Sequence, residues 1–373
     1  MFQTLDLPYI RNTGLCFGLV LAFPWPLHGL FTQGFILALA SSLIAYGLMP
    51  YVIILAHKVG ALDIPDNARR VHATITPRIG GLSVILAVNI TLLLNFNYSI
   101  ELKGVCISAL IVGCLSLWDD IHELSASVKL LGQLSALGIL MAVGVHLNFA
   151  PDTWWGYGLE YAVTGLWIIG ITNAFNFLDG INGLAASLAA TTSLLMGSLA
   201  WHTGQIYMLF LCLALAGGAI GFLPDNARYK TPARSFLGDV GSTYLGWMMA
   251  AIAVMGDWSS EGAIKAYAAP LLIFSVMIFD MIHTTVARIQ RGDVHNVREW
   301  LEYVGRDHLH HRLMALGCSQ RQAVMLILGF SCMVGLAALA LVKSPILSVW
   351  LLLGQSLIFY AILTILMSRA ANK

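Results

Sequence analysis

Charged side chains are scarce in this sequence: Asp, Glu, Lys and Arg make up only 10% of its 373 residues. A soluble domain carries roughly 25%. With 58% hydrophobic residues and a mean hydropathy of +0.79, the chain has too little polar surface to cover a water-soluble globule. Lipid must therefore be its solvent, and only helices and closed barrels satisfy the backbone there. The apolar segments are continuous rather than alternating, which predicts an all-α polytopic membrane protein.

Cysteine patterns typical of metal or redox centres are lacking as well. None of the six cysteines is spaced as CxxC, and most fall within apolar segments, which favours small buried hydrophobic side chains. The N-terminus has no strongly basic region and no clear small-residue cleavage site, so no signal peptide is predicted. A net charge of +1 indicates no particular partner, and no nucleic-acid partner is expected.

Long apolar stretches of the kind that span a bilayer recur along the chain. A crossing needs about 20 mostly apolar residues. Eleven stretches qualify, near residues 33–56, 79–98, 103–118, 129–148, 158–176, 184–200, 205–223, 240–256, 265–286, 322–342 and 346–367. The stretch 14–31 is also apolar, but Pro24, Pro26 and His28 interrupt it, which predicts an interfacial or re-entrant segment. No linker divides the chain, so residues 1–373 are predicted to form one domain.

The distribution of Lys and Arg predicts the orientation. If the 57–78 loop is cytoplasmic, sixteen of these cations fall on the cytoplasmic side and four on the other, so the N-terminus is outside and the C-terminus inside. Asp119, Asp120, Asp179 and Asp239 fall on the cytoplasmic side under the same assignment. Because the rule counts only Lys and Arg, this clustering of carboxylates independently indicates a site on the cytoplasmic face.

Acidic and amide side chains lie at the predicted ends of several helices. Asp119 and Asp120 close one segment, where adjacent carboxylates repel each other and need a cation, a metal or water nearby. Asn176 and Asp179 are three positions apart and share a helix face, which suits a hard cation such as Mg²⁺. Asp239 lies in a Gly-Asp-Val-Gly-Ser sequence after a basic loop, as in metal–phosphate sites. Taken singly, each motif also fits a solvated or capped helix end.

Cationic side chains complete the set. Lys129 follows the aspartate pair and is either a membrane anchor or an ammonium that holds a phosphate. The longest polar loop, 287–321, contains three histidines and two arginines close together: Arg306, His308, His310, His311 and Arg312. They could bind Zn²⁺ or phosphate, or form a solvated basic loop, but nothing completes a tetrahedral Zn²⁺ site, which favours a pyrophosphate. Carboxylates with Mg²⁺ and basic donors are typical of phosphoryl transfer.

Five ordered motifs lie between residues 57 and 317. They are Pro77-Arg78-Ile79-Gly80-Gly81, Asp119-Asp120, Asn173-Ala174-Phe175-Asn176 with Asp179-Gly180, Gly238-Asp239-Val240-Gly241-Ser242 and His308-Leu309-His310-His311-Arg312. Together they resemble the polyprenyl-phosphate N-acetylhexosamine-1-phosphate transferases of glycosyltransferase family 4, most closely the WecA type and more distantly the MraY type.

The resemblance implies a reaction at the cytoplasmic face of the inner (plasma) membrane. Polyprenyl phosphate, such as undecaprenyl phosphate, would attack the β-phosphorus of UDP-GlcNAc, giving polyprenyl-PP-GlcNAc and UMP and initiating a cell-envelope polysaccharide such as lipopolysaccharide O-antigen. Direct displacement is favoured over an aspartyl intermediate. The implied roles are Asn176 and Asp239 on Mg²⁺ (or Mn²⁺), Asp119 and Asp120 at the acceptor phosphate, Lys129 and Asn173 on the substrates, Asp179 at the nucleotide or metal, and His308, His310, His311, Arg306 and Arg312 on the pyrophosphate and sugar.

The chain departs from the family pattern in two places. Asn182 stands where many bacterial members have a second Asp, and residues 296–307 lack the common Ser-Pro-Phe…Pro-Asp-Arg stretch. That loop recognises the sugar in the family, so another UDP-N-acetylhexosamine remains an alternative donor. A proton-coupled transporter is disfavoured because the acids cluster at one interface, with only Asp280 inside an apolar segment. An inactive scaffold is disfavoured by the complete acid set. A homo-oligomer is left open.

The unusual loop itself carries a helical pattern. Asn296 and Glu299 fit a capping-box-like start, and the apolar residues of 297–304 recur at i, i+3, i+4 and i+7. This predicts a short helix on the membrane surface, with Trp300 at the headgroup level, that holds the histidine cluster over the site. The alternative is a helix packed on other cytoplasmic loops.

Overall fold

The described part of the chain is almost entirely helical. The computed structural model describes residues 13, 15–20, 29–64, 75–95, 99–259, 262–296, 299–300, 303 and 305–371. Residues 15–20 are helical. The elements that follow are α1 (Leu30–Val59), β1 (Leu62–Asp63), β2 (Thr76–Pro77), α2 (Gly81–Asn95), α3 (Ile100–His122), α4 (Ala126–Ala142), α5 (Trp154–Phe177), α6 (Leu184–His202), α7 (Ile206–Asn226), α8 (Gly238–Met255), α9 (Ala263–Ile273), α10 (Ser275–Arg291), α11 (Leu309–Ala315), α12 (Gln320–Leu341) and α13 (Ile346–Ala371).

Each of the eleven predicted apolar segments coincides with a helix or a helix pair. Within the described residues, six helices are long and apolar enough to cross a membrane: α1, α3, α6, α7, α12 and α13. The pair α9 and α10 makes seven if it is one bent span. α2 and α4 are apolar but shorter, and α5 and α8 carry polar residues of the site. The chain is an all-α polytopic membrane protein, while the count of eleven spans and the orientation stay predictions.

One predicted span is not straight. Residues 265–286 were expected to form a single crossing, but α9 and α10 meet at Phe274 with a bend of 72°. Pro270, which has no N–H to donate, lies one turn before the bend. α10 is amphipathic, and its buried residues include Asp280, Thr284 and Arg288, which lie four positions apart and so share one face.

The core sits around α8. Its residues from Val240 to Val254 are all buried, and it packs against α2, α3, α5 and α6. Because α8 faces protein on all sides, its polar side chains find partners inside the bundle. Thr243 Oγ1 donates to Ser116 Oγ at 2.8 Å, and Trp247 Nε1 donates to Ser108 Oγ at 3.0 Å. The first turn of this central helix carries Asp239, so the helix that organises the core also positions a site residue.

Two predicted surface segments are described only in part. Of the interfacial segment 14–31, residues 14 and 21–28 lie outside the described residues. The same holds for 297–298, 301–302 and 304 of the loop helix. At its start, Glu299 N donates to Asn296 Oδ1 at 2.9 Å, as the capping pattern predicts. Trp300 donates its indole N–H to Thr285 Oγ1 on α10 at 2.8 Å, a contact that fits a helix packed on the protein. The position of Trp300 at the level of the lipid headgroups stays a prediction.

Candidate active site

A cleft of about 350 Å³ opens where α3 and α5 end and α8 begins. Predicted aspartates from three different helix ends or turns meet there. Its lining residues are Asp63, Arg78, Asp120, Asp179, Gly180, Ile181, Asn182, Asn226, Phe236, Gly238, Asp239, Arg306, His311 and Gln320. The folding of the bundle therefore gathers motifs as far apart in the sequence as those of Arg78 and His311 into one concave, charged surface.

The adjacent carboxylates of Asp119 and Asp120 have different partners. Asp119 Oδ1 accepts from Leu124 N at 2.6 Å, just after the end of α3, and its Oδ2 forms an ion pair with Lys129 at the start of α4. Both residues are buried, at 6% and 4% exposure. The Lys129 ammonium is therefore one of the cations that offset the repulsion expected from the sequence.

Asp120 caps the central helix from outside. Its Oδ1 accepts from Asp239 N at 3.3 Å and its Oδ2 from Val240 N at 2.9 Å. The Arg78 guanidinium lies 3.8 Å from Oδ1. The N-cap residue of α8, Leu237, has no side-chain cap of its own, so Asp120 supplies the acceptor and the negative charge that a helix N-terminus favours.

The loop that leads into α8 is held by backbone pairing with the Pro77–Gly81 motif. Phe236 N donates to Pro77 O at 2.8 Å, and Gly81 N donates to Leu237 O at 2.8 Å. Gly238 has φ of +73°, and a Cβ there would collide with the carbonyl oxygen of Arg78. Only glycine suits this left-handed position at such close approach, which explains the glycine before Asp239.

Asp239 joins three helices. Its Oδ2 lies 3.1 Å from Lys129 Nζ on α4, and its Oδ1 accepts from Asn176 Nδ2 on α5 at 3.0 Å. Asn176 Nδ2 also donates to Ser242 Oγ at 2.8 Å, so the amide oxygen is the atom of Asn176 left for a ligand. Lys129 thus pairs with both Asp119 and Asp239, while Asn176 donates to the other carboxylate oxygen of Asp239.

Negative charge accumulates in the cleft. Burial raises the pKa of Asp179 well above its ordinary value, and the charges of Asp239 and Asp120 raise it further. Within the described residues, no three His, Cys, Asp or Glu side chains already form a group that could hold a metal. The donors nevertheless suit Mg²⁺ chemically, because they are carboxylate and amide oxygens around a cleft where like charges repel and a divalent cation would relieve that repulsion.

The histidine cluster divides between the cleft and the interior. His311 lines the cleft together with Arg306, whereas His308 and His310 are buried. Burial lowers the pKa of His310 well below its ordinary value, and the neighbouring His311 and His308 lower it further, so its ring is neutral. His310 packs against Gly180, where any Cβ would collide with its ring. This contact seats α11 against the turn that carries Asp179.

Arg312 points back into its own loop. Its Nε donates to the carbonyl oxygen of Asp307 at 2.6 Å. This bond closes the turn that precedes α11, and a contact of Arg312 with the substrate stays a prediction.

Comparison with known proteins places the chain in a family. The family model described as glycosyl transferase family 4 matches residues 102–257, which include the motifs from Asp119 to Asp239. The chain is 33% identical, over 91% of its length and 90% of the relative, to the "Probable undecaprenyl-phosphate N-acetylglucosaminyl 1-phosphate transferase" of Bacillus subtilis. The chain belongs to glycosyl transferase family 4.

Other relatives confirm the resemblance to polyprenyl-phosphate sugar-1-phosphate transferases. One is the "Decaprenyl-phosphate N-acetylglucosaminephosphotransferase" of Mycolicibacterium smegmatis, 31% identical over 85% of this chain and 84% of the relative. A more partial match is the "Phospho-N-acetylmuramoyl-pentapeptide-transferase" of Levilactobacillus brevis, 33% identical over 48% of this chain and 61% of the relative.

Asn173, a predicted substrate contact of this family 4 transferase, has a partner inside the bundle, and its contact with substrate stays a prediction. Asn173 Nδ2 donates to Gln133 Oε1 at 2.9 Å, and Gln133 Nε2 donates to Asn173 Oδ1 at 3.4 Å. Gln133 lies one turn after Lys129, and Asn173 lies about one turn before Asn176. The amide pair therefore sets the register of α4 against α5. Sequence reasoning missed Gln133, although a polar side chain inside an apolar segment signals a partner.

Proposed function

We propose that this protein transfers N-acetylglucosamine-1-phosphate from UDP-GlcNAc to polyprenyl phosphate and releases UMP. The observation that carries the proposal is the cleft that Asp120, Asp179 and Asp239 line together with Arg306 and His311. An acidic set suited to a cation shares one cleft with donors suited to a pyrophosphate, the combination that phosphoryl transfer needs. The relatives that are named as GlcNAc-1-phosphate transferases support GlcNAc as the sugar that is transferred.

Asn176 and Asp239 would hold Mg²⁺, or Mn²⁺ in its place. When bound, the ion neutralises the charge of the donor pyrophosphate and polarises its β-phosphoryl group. Asp120 keeps the start of α8, and so Asp239, in position through its two backbone hydrogen bonds. Asp179 lines the same cleft, and its pKa is raised by burial and then by the charges of Asp239 and Asp120, which a cation would balance.

Lys129 and Asp119 would serve the lipid acceptor. The ammonium lies between Asp119 and Asp239, where an incoming lipid phosphate must meet the donor. Asp119 takes a proton from that phosphate, whose oxygen then bonds to the β-phosphorus as the bond to the UMP oxygen breaks. Direct displacement needs no covalent aspartyl intermediate. Asn173 contributes indirectly, through Gln133, by fixing the helices that carry Lys129 and Asn176.

The site is proposed to face the cytoplasm of the inner membrane. Support comes from the positions of the motifs: the ends of α3 and α5 and the starts of α4 and α8 gather at one end of the bundle. The predicted excess of Lys and Arg lies on that same side. A cytoplasmic opening matches a nucleotide-sugar donor and a product lipid that initiates envelope polysaccharide synthesis. Eleven spans with an outside N-terminus complete this topology.

The test is product formation by the purified full chain in lipid nanodiscs with undecaprenyl phosphate. UDP-GlcNAc, UDP-GalNAc and UDP-glucose are each supplied with Mg²⁺ or with EDTA, and both UMP and the lipid product are quantified. We expect Mg²⁺-dependent UMP release and polyprenyl-PP-GlcNAc with UDP-GlcNAc. Preference for UDP-GalNAc would favour the second candidate, the same reaction on another UDP-N-acetylhexosamine, which the divergent residues 296–307 motivate.

A further inference from the structure

α10 turns a buried polar face toward the start of the histidine helix α11. Asp280 and Arg288 on this face are each 3% exposed, which is deep burial for ionisable side chains, and Asp280 lies within the segment 265–286 that was predicted to span the bilayer. Buried charges must be paired and hydrogen-bonded to be tolerated. The partners of both lie in and just before α11, in Asp307, His308 and Leu309.

Asp280 holds both the backbone and the side chain at the start of α11. Its Oδ1 accepts from Leu309 N at 2.6 Å, and its Oδ2 accepts from His308 Nδ1 at 2.8 Å. His308 is the N-cap residue of α11 and makes no side-chain cap of its own. Asp280 therefore caps this helix from outside and orients the imidazole at the same time.

Arg288 fixes the other side of the same ring. Its Nη2 lies 3.3 Å from His308 Nε2, and its guanidinium binds Asp307 through two hydrogen bonds of 2.9 and 2.7 Å. A guanidinium can only donate, so Nε2 of His308 must accept. Because Nε2 accepts, the ring proton is on Nδ1, where it is donated to Asp280. The geometry of the two partners selects one tautomer of His308.

The seated helix presents the groups that face the cleft. His311 lies in α11, Arg306 lies two residues before His308, and both line the cleft. The ring of His308 also packs against Phe177 at the end of α5, with centroids 5.3 Å apart. A change in the orientation of His308 would therefore move both cleft-lining donors relative to Asp179, which follows Phe177 by two residues.

We propose that Asp280, together with Arg288, is a positioning residue for the donor: it holds His308 as the Nδ1–H tautomer and so places Arg306 and His311 over the cleft. The role of those two residues toward a nucleotide-sugar pyrophosphate rests on the proposed function. The chemistry at Asp119, Lys129 and Asp239 is left untouched by this arrangement.

The kinetic test compares Asp280→Asn with a matched variant. An asparagine at 280 has one acceptor oxygen and an NH₂ group that can only donate, so the hydrogen bond from His308 Nδ1 or the one from Leu309 N is lost. We expect KM for UDP-GlcNAc to rise about tenfold or more, by analogy with carboxylates that orient metal-bound histidines, while kcat and the Mg²⁺ dependence change less. Asp280→Glu, which keeps the carboxylate, should recover part of the loss.

Glu160→Gln is the matched control. Glu160 is also buried, at 2% exposure, and its carboxylate accepts from two backbone N–H groups, those of Phe149 and Ala150, at 2.7 and 2.8 Å. It lies near the other end of α5, about 24 Å along the helix from Asn176. Glu160→Gln removes the buried charge but keeps Oε1 as the acceptor of both bonds, so the KM for UDP-GlcNAc should stay unchanged. A KM in Asp280→Asn that matches wild type would overturn the proposal.

A spectroscopic readout separates this proposal from the proposed function. In protein labelled with ¹⁵N-histidine, the His308 signals are identified by their loss in His308→Gln. We expect a protonated Nδ1 and an unprotonated Nε2 in wild type, and loss of this pattern in Asp280→Asn. The opposite tautomer in wild type would overturn the inference. Wild-type protein that makes no UMP would count against the proposed function, whereas the spectrum would still decide the tautomer.

Discussion

Asp120→Asn should destabilise the protein as well as inactivate it. In the structure, Asp120 receives the N–H groups of Asp239 and Val240 at the start of the central helix. An asparagine has one acceptor oxygen, so its amide nitrogen faces one of these N–H groups and that hydrogen bond is lost. The variant also removes the negative charge from the N-terminus of α8 and from beside Arg78.

The magnitude follows from these contacts. A hydrogen bond to a charged group is worth about 1.5–3 kcal/mol. A charge at a helix N-terminus adds about 0.3–1 kcal/mol. Part of this is offset because a buried amide costs less to desolvate than a carboxylate, which leaves a net loss of about 2–3 kcal/mol. For a chain of this length, that corresponds to a fall in Tm of about 3–4 °C.

Asp239→Asn is the matched control, because the two side chains differ in what they hold. The side chain of Asp239 is 30% exposed and binds other side chains, whereas that of Asp120 is 1% exposed and binds backbone N–H groups. Thermal unfolding in nanodiscs, followed by tryptophan fluorescence, should show a clear fall in Tm for Asp120→Asn and little change for Asp239→Asn. Equal Tm values for wild type and Asp120→Asn would refute the capping role.

Further predictions concern the reaction and the histidine loop. Asp239→Asn should abolish Mg²⁺-dependent UMP release in a folded protein, and activity near wild type would remove Asp239 from the metal site. Asp119→Ala should lower kcat by about 10²–10⁴-fold, as loss of general-base assistance does, whereas a rise only in the KM for UDP-sugar would contradict its role at the acceptor. Trp300→Glu should raise the KM for UDP-sugar and leave the Mg²⁺ requirement intact; an unchanged KM would contradict the holding role of that segment. Burial alone would raise the pKa of Asp307, but hydrogen bonds from its two arginine partners lower it to about 2. The contribution of Asp307 to stability is therefore complete above its unfolded pKa of about 3.9 and is lost as the pH falls toward 2. Across this window, the Tm of wild type should fall further than the Tm of Asp307→Asn.

The positions of the helices could be read from the sequence because hydrophobic length alone decides them. The bend at Phe274 could not, since Pro270 inside an apolar run is also compatible with a kinked single span. The sequence predicted that the acids lie on one side of the membrane, but it did not show that Asp119 and Asp120 bind different partners. That division depends on α4 and α8 approaching α3, which is a tertiary contact.

The long-range partners of single polar residues were the hardest to foresee. Asp280 stands 28 positions from His308 and Gln133 stands 40 positions from Asn173, and nothing in the local pattern couples them. The available signal was their presence in apolar segments, where a polar side chain requires a partner. The sequence indicates that such a partner exists, and the packing of the helices determines which residue it is.

The most direct test of the central claim follows the β-phosphorus of the donor. Full-length protein in nanodiscs with undecaprenyl phosphate is given UDP-GlcNAc carrying radioactive phosphorus in its β-phosphate. Transfer of the sugar-1-phosphate at the site of Asp119, Asn176 and Asp239 predicts that the label enters the lipid product, that UMP appears in equal amount, and that Asp239→Asn abolishes both. Label retained in a released UDP, with an unlabelled glycolipid, would show transfer of the sugar alone and contradict the account.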